Sequence, residues 1–209
     1  MKKIGCLILF VMTLTAHAQK TGTYYNSGNT TTKVKYVGAM WLPGTIVLAD
    51  GSELKGQVRG ASYVGNNIRS FKYRTKKGEK ALVFKAEQCQ LVLYDGLIVL
   101  SMPKNMKKKS GKRRFYVAMY YGKHLTVLQD PDAKVATGSP GSIIFNKDQQ
   151  LSFLVLKDDV LQKFTKMRFR KPFLKLCKDN AKFVARASNK KWFNYNNIYK
   201  VAHYYNQTR

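Results

Sequence analysis

Side chains able to do chemistry are few in this chain, and their spacing suits binding better than catalysis. The histidines that could serve as general base or metal ligand are His124, beside a glycine-marked turn, and His203, near the C-terminus. Neither has a second histidine or a cysteine at zinc-ligand spacing, so neither a metal nor any other cofactor is expected. Carboxylates for paired acid–base work are scarce, with only 11 Asp and Glu in the whole chain. Asp50, Asp95, Asp130 and Asp132 fall in turn-like contexts, and Asp158 and Asp159 stand at an expected helix start. Glu87, beside Cys89, is the one acid placed on an expected strand without a structural role. No Gly-x-Ser-x-Gly elbow, phosphate-binding loop or dinucleotide glycine fingerprint occurs, and Gly138-Ser139-Pro140-Gly141 reads as a plain loop. An enzyme is disfavoured on these grounds.

Positive charge, by contrast, is abundant. The chain carries 38 Lys and Arg and a formal net charge of +27. Such an excess must be solvated or matched by an anionic partner. Between Lys104 and Arg114 seven cations occupy eleven positions, and Lys107, Lys108, Lys109, Lys112, Arg113 and Arg114 are candidate anion contacts on a loop entering a strand. A second set, Lys171, Lys175, Lys178, Lys182 and Arg186, steps by four, three, four and four along one face of an expected helix. The alternative for both is a solvated surface, and lysines at a hairpin tip also discourage sheet-to-sheet association. Specific nucleic-acid recognition is disfavoured: the 13 tyrosines do not form the signature of an RNA-binding sheet.

The elements that must carry these residues follow from periodicity. From Trp41 to Leu156 the pattern alternates with period two between tight-turn dipeptides. Asp50-Gly51 joins Thr45–Ala49 to Leu54–Val58; Lys77-Gly78 joins Phe71 and Tyr73 to Leu82 and Phe84. Asp95-Gly96 joins Cys89–Tyr94 to Leu97–Leu100, whose apolar residues predict a central, buried strand. Phe115–Tyr121 pairs with Leu125–Leu128 around Gly122, and Ile143–Phe145 with Leu151–Leu156. After Lys157 the period becomes helical. Asp158 or Asp159 is read as capping a short helix bearing Val160, Phe164 and Met167 on one side. Pro172 suits a first turn, with Phe173, Leu174, Cys177, Ala181 and Val184 as the apolar face. A last helix near Asn196 places Ile198, Val201, Ala202 and Tyr205 on one stripe. The expected fold is α+β: an antiparallel β-rich body built of hairpins, as a partly open barrel or curved sheet, followed by two or three C-terminal helices.

The N-terminus reads as a leader. Lys2 and Lys3, an apolar Ile4–Thr15 and Ala16-His17-Ala18 have the order of a cleavable signal peptide, with cleavage after Ala18. Cys6 lies inside the apolar run, too early for lipidation. Residues 19–37 are expected to form a flexible spacer, rich in Thr, Asn, Gly and Ser, ahead of a single domain at 38–209, β-rich to 156 and helical from 157. Export to the periplasm or beyond permits a disulfide between Cys89 and Cys177, while their apolar neighbours suit two buried free thiols; the sequence leaves both open.

Pro43-Gly44-Thr45-Ile46-Val47-Leu48, then Asp50-Gly51, then Leu54-Lys55-Gly56 resembles the opening of a widespread group of exported proteins of Bacteroidota. Short strands after that hairpin and helices closing near Tyr205-Asn206 extend the resemblance over most of the mature chain. It implies an envelope setting and no catalytic residues. The expectation is therefore a non-catalytic exported envelope protein docking on lipid headgroups, lipopolysaccharide or an acidic glycan through its basic loop and helix. The alternatives are an enzyme acting on an envelope polymer and a structural subunit for an acidic protein partner.

Overall fold

The computed structural model describes residues 41–64, 67–94, 96–104, 106, 111–133 and 152–209. The expected leader at 1–18, the expected spacer at 19–37 and Ile143–Phe145 lie outside the described residues. The fold is α+β, a ten-stranded antiparallel sheet followed by three helices.

The strands are β1 (Leu42–Leu48), β2 (Glu53–Val64), β3 (Asn67–Arg74), β4 (Leu82–Lys85), β5 (Cys89–Tyr94), β6 (Leu97–Pro103), β7 (Arg113–Tyr120), β8 (Thr126–Gln129), β9 (Ser152–Lys157) and β10 (Val160–Thr165). Their order is β10-β9-β8-β7-β6-β5-β1-β2-β3-β4, so β5 returns to pair with β1 and the remaining neighbours are consecutive hairpins. Gly51, Gly78 and Gly96 have φ of +91°, +94° and +73°, the left-handed turn geometry expected of their dipeptides. The β5–β6 pair sits mid-sheet, although of Leu97–Leu100 only Val99 is fully buried.

The sheet rolls strongly. Four strands separate β3 from β7, roughly 24 Å in a flat sheet. Yet the Phe71 and Phe115 rings meet edge-on at 4.9 Å. Inside this roll Ile46, Val58, Phe71, Val92, Tyr94 and Val99 form one core. Gly44 and Gly56 face each other across β1 and β2, where a Cβ would come within 2.8 Å of Tyr94 Cβ and 2.9 Å of the Tyr73 ring, respectively. The glycines of the opening hairpin thus make room for a neighbouring strand's backbone, where the same Cβ atoms would meet Leu93 O at 2.6 Å and Arg74 O at 2.5 Å, and for a tyrosine beside it.

Two expectations fail after β9. Asp158 and Asp159 cap no helix; both have positive φ, +48° and +60°, and form the two-residue turn that pairs β9 with β10 in the register Val160↔Lys157. The β body therefore runs to Thr165 and not to Leu156. Val160 is an exposed strand residue, and Met167, expected on the apolar stripe, is 94% exposed in the following turn.

Helices α1 (Arg170–Leu176), α2 (Ala181–Ala187) and α3 (Ile198–Thr208) then cover one face of β7–β10. The single helix expected from Pro172 onward is broken. Asn180 Oδ1 accepts from Phe183 N at 3.0 Å and starts a new helix, while its Nδ2 donates to Tyr205 O and Thr208 Oγ1. The break resets the helical phase: Phe183 and Ala187 enter the core, and Val184, expected there, is 41% exposed. Helix α3 buries Ile198, Val201, Ala202 and Tyr205, the stripe the sequence predicts. No helix among the described residues is long and apolar enough to cross a membrane.

The last helix is pinned to the β7–β8 hairpin by Asn206. Its Oδ1 accepts from His124 N (2.7 Å) and Leu125 N (3.1 Å), and its Nδ2 donates to Leu125 O and Ala202 O, both at 2.9 Å. Gly122 faces the same amide, and a Cβ there would lie 2.5 Å from Nδ2. Asn206→Ala is expected to cost roughly 1–3 kcal/mol by leaving partly buried partners unpaired. Gly122→Ala is also destabilising, because the pinned amide cannot move aside. Urea titration of the double variant should give less than the sum of the singles, since removing the amide relieves the clash. Strict additivity would show that Gly122 and Asn206 do not act on one another.

Cys89 and Cys177 are both free and buried, and they sit in different cores, Cys89 within the rolled sheet and Cys177 under the helices. The disulfide left open by the sequence does not form. Burial pushes the thiols up to about 11 and about 12, far above neutral pH, where the nucleophilic thiolate is depleted. Peptide mass analysis after iodoacetamide treatment at pH 8 should show neither cysteine labelled in the folded protein and both labelled in denaturant. Labelling of Cys177 without denaturant would contradict this placement.

Candidate anion-binding surface

Two cations of the basic loop, Arg113 and Arg114, are taken up by the fold. Lys107, Lys108 and Lys109 lie outside the described residues, and Lys112 is exposed. Arg113 and Arg114 are engaged by the chain's own groups. Arg113 Nε donates to Ser101 Oγ at 3.0 Å, and its Nη2 to the Ser101 carbonyl. Arg114 forks onto Asp132, with Nη1–Oδ2 at 2.9 Å and Nη2–Oδ1 at 3.1 Å. That fork holds the Asp132 carboxyl below the usual range. Both arginines start β7, and both are fixtures of the sheet.

The second set keeps its charge in the open, though on no single helix. Lys171 and Lys175 belong to α1, Lys178 to the turn, and Lys182 and Arg186 to α2. All five are exposed, and none has an ion pair among the described residues. Arg186 is held by its ring neighbours, its Cζ lying 4.9 Å from the Trp192 centroid and 4.5 Å from that of Tyr204. Upstream, Lys166, Arg168 and Arg170 continue the run. From Lys166 to Arg186 the one acid is Asp179, and it is already engaged. Lys157 Nζ lies 3.3 Å from it, the Tyr205 hydroxyl donates to it at 2.9 Å, and Arg209 contacts it directly. The positive potential of this segment is uncompensated.

A further basic face was not singled out from the sequence. Lys55, Gln57 and Arg59 alternate along β2, and Gln57 pairs with Arg74 and Arg59 with Lys72 on β3. These residues share the outer face of the rolled sheet. Arg59 and Arg74 place their Cζ atoms 4.9 and 4.2 Å from the Trp41 ring centroid, and Arg74 Nε donates to Gln57 Oε1 at 2.8 Å. The signal was present as period-two cations, legible only as the polar side of a hairpin until the β2–β3 register brought both strands together.

Of the groups suited to catalysis, Glu87 and His203 stand apart, whereas Lys157, Asp158, Asp179, Tyr205 and Arg209 form one paired cluster that His124 and Cys177 adjoin. Glu87 stands on an exposed 3-10 turn, Ala86–Gln88, and not on a strand. His203 Nδ1 lies 3.4 Å from the Tyr120 hydroxyl. His124 is pushed below its ordinary value by partial burial and by the cations Lys123 and Arg209. Lys157, though buried, is held by Asp158 at 2.6 Å and by Asp179, so two carboxylates match its charge. The Asp158 carboxyl is held low by the same hydrogen bond. Among the described residues no three of His, Cys, Asp and Glu gather as metal ligands would. A depression of about 460 Å³ beside Gly44, Lys55, Gly56 and Tyr94 has no carboxylate, imidazole or thiol among its described lining residues.

No family model, curated protein or solved structure matches the chain. The arrangement of charge is therefore the guide to function. It can bind an extended anion by many weak contacts, each exposed ion pair giving ~0–1 kcal/mol.

Proposed function

We propose that this chain is an exported, non-catalytic envelope protein that docks on an anionic surface by its exposed cations. The observation that carries the reading is the free state of Lys171, Lys175, Lys178 and Lys182, exposed in a stretch whose one acid is already shared by Lys157, Tyr205 and Arg209. The β2–β3 face with Arg59, Lys72 and Arg74 adds a second area of the same sign. The leader-like residues Met1 to Ala18 support an envelope location. There the abundant anions are lipid headgroups, lipopolysaccharide phosphates and acidic glycans. The basic loop contributes through Lys112 and the lysines before it, with Arg113 and Arg114 reassigned to the fold. An enzymatic reading would have to use the cluster around Lys157, where Asp158 and Asp179 are already paired and the nearby Cys177 thiol is buried.

Co-sedimentation with phosphatidylglycerol vesicles across a salt series tests the proposal. Binding should be firm at low salt and fall steeply as salt rises, because screening and counterion release act on every contact. Absence of binding at physiological salt would overturn it.

A further inference from the structure

The turn joining β10 to α1 exposes an apolar side chain within a run of cations. Met167 is 94% exposed, against 54% for Val160 and 52% for Leu82, the next most exposed large apolar residues described. Lys166 and Arg168 flank it, Arg170 and Lys171 follow, and no acid occurs between Asp159 and Asp179. The turn is closed by Arg168 N donating to Thr165 O at 3.1 Å. Its ends are anchored by Phe164 and Phe169, 2% and 4% exposed. Those phenylalanines share one aromatic core through Phe153, whose ring lies 5.5 Å from Phe164 and 6.4 Å from Phe169. With both flanking phenylalanines buried, Met167 stands at the tip of the turn.

We infer that this tip is the point at which the protein enters an anionic lipid bilayer, Met167 passing into the boundary between headgroups and acyl chains. The inference rests on the docking reading and names its partner. Charge alone would suit any polyanion; the methionine selects lipid, because a thioether side chain makes no useful contact with a hydrated glycan and gains only where it leaves water. The surrounding lysines and arginines are long enough to keep their charges at the phosphate level while Met167 goes deeper. Peripheral membrane binding takes two weak signals acting together, here a cationic rim and an apolar point.

The test uses the full chain carrying Met167→Trp, read against wild type to subtract Trp41 and Trp192. On vesicles of phosphatidylglycerol and phosphatidylcholine, the added indole should shift to the blue and be quenched by lipids brominated on their acyl chains. Met167→Ser should bind the same vesicles roughly tenfold more weakly, the lower end of what burying a methionine is worth, and Met167→Leu should restore wild-type binding. Vesicle binding with an unshifted, unquenched signal from the added indole would overturn insertion while the docking reading stands. Failure of the wild type to bind the vesicles would overturn both.

Discussion

Replacing Lys171, Lys175, Lys178 and Lys182 together with glutamine is expected to weaken binding to phosphatidylglycerol vesicles by about two orders of magnitude at low salt. Each lysine within the screening length of an anionic surface contributes roughly 1 kcal/mol. Four acting at once would reach about three orders of magnitude. The smaller figure follows because the four stand on two helices and the turn between them, so a flat surface cannot engage all of them closely. The variant should keep its fold, since all four are exposed and without ion pairs, where substitutions typically stay within ~0.5 kcal/mol. Its residual binding should also depend less steeply on salt, each lost contact removing part of the counterion release. Changing Arg113 and Arg114 instead should lower thermal stability first, because Ser101 and Asp132 lose their partners. Wild-type affinity in the quadruple lysine variant would remove the central support for docking.

Phe183→Ala is expected to cost about 3–5 kcal/mol, the range for truncating a buried phenylalanine. Phe183 is fully buried, and its ring meets Phe173, Trp192, Phe193 and Tyr205 at centroid distances of 6.0, 6.1, 5.9 and 5.6 Å. It joins α1, α2 and α3 in one aromatic cluster, so its loss leaves a cavity that all three helices border. Domains of this kind are stable by ~5–15 kcal/mol, so the variant should unfold at much lower urea. Val184→Ala, one residue on and 41% exposed, should change stability by no more than about 0.5 kcal/mol. The pair decides the phase of α2. A larger loss at Val184 than at Phe183 would restore the unbroken helix read from sequence and refute the one capped by Asn180.

What the sequence by itself determined is what local chemistry can specify. The hairpins at Asp50-Gly51, Lys77-Gly78, Asp95-Gly96 and Gly122 were legible because a turn needs a few adjacent residues and a strand needs only period two. The final helix was legible for the same reason, its stripe of Ile198, Val201, Ala202 and Tyr205 being unbroken. Asp158-Asp159 misled because the same residues suit a helix cap and a two-residue hairpin turn; pairing of Val160–Thr165 with β9 chose the turn. Asn180 breaks the single helix expected from Pro172 because Phe183 N and the C-terminal helix supply partners for its amide.

The candidate surface divided in the same way. Sequence counted the cations; only the tertiary structure decided which are free. Arg114 finds Asp132 18 residues away and Arg113 finds Ser101 12 residues away, whereas Lys171, Lys175, Lys178 and Lys182 find no acid among the described residues. Cys89 and Cys177 were separated into two cores by the rolling of the sheet, and Met167 was turned outward because Phe164 and Phe169 on either side were taken into the interior. A charge or an apolar group is available to a partner only when its own chain leaves it unmatched, and that depends on contacts between distant residues, which the spacing of neighbours does not encode.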